Sequence, residues 1–359
     1  ASFKPQELSN VLWAFATVST HDKGLFESVL NAAMDRIDDF KAQELSNLAW
    51  ASANLRLSSS RILGTISEVA RAKRRMFAPQ ELSCLAWAFA TCRLIDIDTL
   101  RAISGEAIVK VADFKPQGLS NLVWAFAKLS ARDLELWEAV SRQATTKLKS
   151  FKAQELSSLV WSLASQVVHN HELLNTIKLE IVMRAKDLQP QCISNVAWGL
   201  ATLSFDDDAV FKMFADRAVA KMKSFKPQEL ANLVWAFAHI EIEESKLMLA
   251  VAEQVVAKAK DFKPQGLSNL AWAFATCGIG VGGSRLLQAI SESARAQVQK
   301  FKPQGLSNIA WAFATLSTRD EQLFAAIADA SCVRIEDFKL QELSNLSWAF
   351  ATLAFNNDP

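Results

Sequence analysis

Apolar residues along this chain fall into two alternating kinds of block, each with the three- and four-residue spacing of a helix that buries one side. The first kind reads FKPQELSNLVWAFATL in its commonest form, and the second is typified by LFESVLNAAMDRI at residues 25–37. Strict apolar-polar alternation occurs nowhere, so the pattern predicts helices and no strands.

The blocks repeat. Trp13, Trp50, Trp87, Trp124, Trp161, Trp198, Trp235, Trp272, Trp311 and Trp348 are spaced by 37 residues, with a single interval of 39. Counting each repeat from its Phe (Leu188 in the sixth) places the starts at 3, 40, 77, 114, 151, 188, 225, 262, 301 and 338. A fixed period overrides the two or three domains that 359 residues would otherwise suggest. The expectation is all-α, an α-solenoid of about ten helix-turn-helix repeats forming one array over 1–359, with the tenth repeat incomplete.

Pro at position 3, in seven of ten repeats, suits the first turn of the leading helix, A, where a missing N–H costs nothing. Positions 6, 9, 10, 13 and 16 form one stripe, Leu8, Val11, Leu12, Phe15 and Val18 in repeat 1, expected to pack on the second helix, B. Positions 4, 8, 11 and 15 form the opposite stripe, Gln6, Asn10, Trp13 and Thr17, flanked by Ala14 and Ala16, which let successive A helices lie close.

Position 4 is Gln in all ten repeats and position 8 is Asn in eight, Cys84 and Ser158 being the exceptions. Two readings fit this ladder. In one, the amides hydrogen-bond to helix ends and neighbouring repeats while the indoles wedge between A helices. In the other, the inner face contacts a ligand through Asn10, Trp13, Asn47, Trp50, Trp87, Asn121, Trp124, Asn195, Trp198, Asn232, Trp235, Asn269, Trp272, Asn308 and Trp311, with indoles as stacking platforms for bases.

Two basic rows accompany the ladder. Position 34 carries Arg36, Lys73, Lys110, Lys147, Arg184, Lys221, Lys258 and Arg334, with Gln297 the exception. Position 2 carries Lys4, Lys41, Lys115, Lys152, Lys226, Lys263, Lys302 and Lys339. Lysine at a helix start faces the positive end of the dipole, a conflict that a docked anion would relieve. Both rows are therefore candidate phosphate contacts along one edge. Helices pack about 8–10 Å apart, so an extended strand could advance roughly one nucleotide per repeat.

Bulk properties change this picture little. The net charge is +1, which by itself announces no polyanionic partner. Cys84, Cys92, Cys192, Cys277 and Cys332 form no CxxC pair, and Cys92 and Cys277 share one repeat position expected to be buried, which fits a reducing compartment. No apolar run reaches the roughly 18 residues of a membrane span. Because solenoids need polar end caps, the chain is expected to be an excerpt of a longer protein with a targeting segment elsewhere. GIGVGG, at residues 278–283, follows a helix and lacks a trailing Lys-Ser/Thr, so it is expected to be a longer hairpin turn and not a phosphate loop. His21, His169, His171 and His239 form no metal-ligand set, no triad-like arrangement recurs, and neither cofactor, metal nor enzymatic activity is expected.

The run LSNLVWAFA after FKPQ resembles the octotricopeptide repeat and its 37-residue relative, the heptatricopeptide repeat, of organelle RNA-binding proteins in algae, dinoflagellates and apicomplexans. The Leu-x-Asn-Leu-x-Trp-Ala core recurs nearly unchanged at 8–14, 45–51, 119–125 and 267–273, and the likeness spans essentially the whole chain. It implies an organelle scaffold, in the mitochondrion or alternatively the chloroplast, that holds single-stranded mRNA or rRNA for stability, processing, translation or ribosome assembly. Partners would be RNA and other subunits of an organelle ribonucleoprotein, with no membrane span and no small-molecule substrate. The RAP domain that many members carry is not seen in this sequence. The near-constant ladder cannot encode a varied message, so specificity would sit at changing sites such as position 5. The alternative is an armadillo-like scaffold, where Asn grips a peptide backbone, or a structural subunit of a large organelle complex.

Overall fold

The structure is a computed structural model that describes residues 3–18, 22–55, 60–278 and 284–354, and all described secondary structure is helical. Contacts group the chain into two compact units, Ala1–Ile181 and Val182–Pro359. Within each unit the same hairpin recurs: an A helix, a B helix and a closing one-turn 3-10 helix. In repeat 3 these are Pro79–Cys92, Ile97–Val109 and Val111–Asp113. In repeat 7 they are Pro227–His239, Ser245–Lys258 and Ala259–Asp261. The 3-10 turn was not foreseen; it delivers the position-1 Phe into the core, where Phe40, Phe77, Phe114, Phe225 and Phe262 are buried.

The A helices start where the Pro residues predict, at Pro79, Pro116, Pro190, Pro227, Pro264 and Pro303. Within each unit their densest packing is on one another, A against the next A. Positions 12 and 14 make this possible. Ala88 and Ala90, Ala125 and Ala127, Ala236 and Ala238 are buried, small enough to bring neighbouring backbones together. Positions 6, 9, 10 and 13 face helix B and the core as expected, whereas Val18 of repeat 1 is 72% exposed.

Helix A ends in a way the sequence conceals. Position 17 is left-handed in every described case: Arg93, Ser130, Val167, Ser204, Glu241, Gly278, Ser317 and Ala354, with φ between 51° and 62°. The next residue then bonds back across the last turn, as Leu94 N–H to Phe89 O at 2.9 Å and Val168 N–H to Leu163 O at 2.9 Å. Only Gly278 takes this conformation without Cβ strain. Residues 279–283, the rest of the GIGVGG segment, lie outside the described residues, as does His21.

Helix B is capped at position 20, where Asp22, Asp96, Asp133, Asp207 and Asp320 accept a backbone N–H two or three residues into the helix. The same carboxylates tie repeats together: Ser67 of repeat 2 donates to Asp96 of repeat 3 at 2.7 Å, and Ser291 to Asp320 at 2.5 Å. Burial alone would raise the Asp96 carboxyl, but the hydrogen bonds from Ser67 and Thr99, with Arg71 nearby, hold it below its ordinary value. Its contribution to stability is therefore complete near neutral pH and is lost as pH falls through that lowered value.

Val167 combines a β-branched side chain, φ of 53° and 60% exposure. Replacing it with Gly removes the strain and little packing, so Val167→Gly should stabilise the fold by about 1 kcal/mol, read as a raised denaturant midpoint at unchanged slope.

Candidate nucleic-acid interface

The interface is built from the N-terminal edge of the A helices. Position 2 is the N-cap, extended at φ near −77°, and its Lys side chain is exposed in every repeat that has one. None of these ammonium groups engages another side chain among the described residues. The cap is made instead by position 5. Glu7, Glu44, Glu81, Glu155, Glu229 and Glu342 each fold back to accept the position-2 backbone N–H at 2.7–2.9 Å. Position 5, offered above as a specificity site, is thus occupied by capping of its own helix wherever it is Glu. Gly118, Gly266 and Gly305 leave that cap unmade, and a Cβ there would meet the preceding Phe ring at 3.0–3.3 Å.

The position-34 row needs correction. Lys73, Lys110, Lys147 and Lys258 each donate to two carbonyls at the junction between repeats, and Lys221, Arg36 and Arg334 to one. Lys147 Nζ, for example, reaches Ala112 O at 2.6 Å and Phe114 O at 2.8 Å. Gln297 reproduces the bond with Phe262 O at 3.1 Å, which explains why an amide is tolerated. These carbonyls immediately precede the A helix and have no helical partner, so a long donor from the end of helix B satisfies them. At these seven residues and at Gln297 the row is a stitch that closes its hairpin and not a free phosphate-binding ridge.

A second basic row lies exposed beside position 2. Position 36 carries Arg75, Lys149, Lys186, Lys223 and Lys260, all exposed in the 3-10 turns beside position 2, with Lys300 one residue on. The signal was present in the sequence, two residues before each Phe, but is interrupted by Asp38, Ala112, Gln299 and Glu336.

The ladder lies where its period predicts. All ten position-4 Gln residues are exposed, and Asn47, Asn121, Asn195, Asn232, Asn269 and Asn308 are half-buried. Neither set makes a side-chain hydrogen bond among the described residues, so the amides do not tie helix ends together. Trp13 is 47% exposed, and Trp50, Trp87, Trp124, Trp198, Trp235, Trp272 and Trp311 are half-buried. Indole centroids of Trp13 and Trp50 lie 6.2 Å apart, and those of Trp198, Trp235 and Trp272 follow at 6.3 Å. In the first unit this face holds a groove of about 820 Å³, bounded by Trp13, Trp50, Trp87, Lys115, Asn47 and Asn121.

A family model described as RNA-editing substrate-binding complex 6 protein matches residues 3–280 and, again, 114–358. The chain belongs to this family. It is accordingly an RNA-associated helical-repeat protein, a broader assignment than the octotricopeptide or heptatricopeptide name suggested by its motifs. No curated protein matches the chain. Among solved structures, a chain titled "Homology model of the full-length AP-3 complex in an intermediate open conformation" is similar at 9% identity and a TM-score of 0.31, over 99% of this chain and 71% of that one.

Cys84 lines the groove at position 8, where burial and then the charge of Glu81 push its thiol up to about 12, so it remains protonated. None of the five cysteines is in a disulfide; Cys92 and Cys277, expected to be buried, are half-buried. No group of three His, Cys, Asp or Glu that could hold a metal occurs among the described residues, and no helix is long and apolar enough to cross a membrane.

The two lysine rows separate by mutation. Lys147→Met strands two carbonyls and should cost about 2 kcal/mol in a denaturant melt, whereas Lys152→Met, which loses no side-chain bond, should shift the midpoint negligibly.

Proposed function

We propose that the chain is a non-catalytic scaffold that holds single-stranded RNA by its backbone, as part of an RNA-editing or related RNA-processing assembly. One observation carries this reading: the exposed lysines of positions 2 and 36 line the same N-terminal edge of the A helices, without side-chain partners at position 2 among the described residues, beside an accessible stripe of indoles and of amides that make no side-chain hydrogen bond there. Lysine beside the positive end of a helix dipole is mildly unfavourable alone and becomes favourable once a phosphate docks between them. The family's printed description, an RNA-editing substrate-binding complex, agrees in kind. The narrower octotricopeptide or heptatricopeptide assignment, the action of all ten repeats as one array, and roles in transcript stability, translation or ribosome assembly belong to the same proposal. So does placement in the mitochondrion, with the chloroplast as the alternative.

A second reading has its own support. The near-constant Gln and Asn rows, free of internal bonds, would equally suit the uniform backbone of an extended peptide. Salt dependence distinguishes the two, because phosphate contacts release counterions.

Reversing Lys115, Lys152, Lys226 and Lys263 to Glu tests the edge. Glu at an N-cap is compatible with the helix dipole, so the thermal midpoint should hold or rise. RNA affinity should fall, and the slope of log K against log salt should become shallower by about 3 for four lost single-strand contacts. Unchanged affinity and slope would contradict phosphate binding here.

A further inference from the structure

We propose that the groove on the A helices of repeats 1–4 is a pocket for unpaired nucleobases, which stack on the indole faces of Trp50 and Trp87. This deepens the RNA-binding reading and rests on it.

Repeat 7 reveals how the indoles stand. The imidazole of His239 lies on the indole of Trp235, with centroids 4.6 Å apart and planes 13° from parallel. His239 follows Trp235 by four residues, one turn toward the C-terminal end of the same helix. For the two rings to stack, the indole must stand across the helix axis. One face then looks toward the C-terminal end and is covered by His239; the other looks toward the N-terminal end. A planar nitrogen heterocycle therefore already sits on one rung of this ladder. Neighbouring indoles keep similar tilts and spacings in the two units, 30° for Trp13 and Trp50 and 35–37° for the pairs at Trp235.

In the first unit the groove opens on the N-terminal side of the indoles. Its other walls include positions 8, 4 and 2, with Asn47 and Asn121, Gln80 and Gln117, then Lys115, beside which the carboxylate of Asp113 also lines the groove. An aromatic face, amides with free donors and acceptors, and an ammonium group thus follow one another toward the helix start. An unpaired nucleotide presents the complementary set: base face, base edge and phosphate. The volume of about 820 Å³ accommodates more than one such ring.

The chemistry also sets selectivity. A duplex hides base faces within its own stack, so it cannot use these indoles. Each amide carries both a donor and an acceptor and can meet the edge of any base. The pocket should therefore favour single strands while discriminating weakly among sequences.

The test is to titrate the full chain with an unstructured single-stranded RNA and with the same strand annealed to its complement, reading intrinsic tryptophan emission and affinity. We expect the single strand to quench the emission and the duplex not to. The variant Trp50→Leu/Trp87→Leu should bind the single strand at least about tenfold more weakly, and Trp50→Phe/Trp87→Phe, which keeps a stacking face, should retain most of the affinity. If the leucine variant does not fold, quenching of the unmodified chain decides. Single-strand binding without quenching, with leucine variants like the wild type, would overturn base stacking and leave RNA binding standing. Failure of either nucleic acid to bind, with quenching by an extended peptide instead, would overturn the RNA-binding reading itself.

Discussion

Direct contact between consecutive A helices is the constraint on which the rest of this structure depends. Alanines at positions 12 and 14, such as Ala88 and Ala90 or Ala236 and Ala238, are fully buried, so one side of each A helix is spent on its neighbours. Leu and Phe at positions 6, 9 and 13 are spent on helix B and the core. What remains accessible is a stripe of Gln, Asn and Trp that recurs from repeat to repeat within each unit. An interface of this kind is a by-product of close packing. The helix geometry fixes its period, and the small residues bring its rungs within reach of one another.

Charge is arranged around the same helices in two layers with different uses. Lysines at the end of helix B turn inward to satisfy carbonyls that no helix can serve, and Gln297 does the same with no charge at all. Lysines at the start of helix A point outward, while Glu at position 5 takes over the capping that a position-2 side chain would ordinarily provide. The N-cap position is thereby released from its structural duty. In an RNA-associated family, that release has a physical use: it places cations at helix N-termini whose own N–H groups also favour an anion.

Much of this was legible in the sequence. The Trp period gave the number of repeats, the Pro residues gave the helix starts, and helical spacing separated the Gln-Asn-Trp stripe from the core stripe. What escaped detection had no residue-type signal. The C-terminal stop of helix A lies at position 17, where Arg93, Ser130 and Val167 adopt a conformation normally marked by Gly. The stitch at position 34 looked like a surface row because Lys is usually solvated; only contact with Phe114 O and its equivalents shows that its length, and not its charge, is what the fold requires. Position 5 varied between Glu and Gly and so suggested readout, whereas its role as a cap depends on a backbone bond that sequence does not display.

The central claim is that RNA lies along the A-helix stripe, with its phosphates on the N-terminal edge. Ultraviolet crosslinking of bound single-stranded RNA, with the modified peptides located by mass spectrometry, tests it most directly. The account predicts adducts on peptides from the A-helix stripe, around Trp50, Trp87 and Lys115 and their equivalents at Trp198 and Lys226. Adducts confined to the B helices, such as Leu134–Lys147 or Ser245–Lys258, would contradict it.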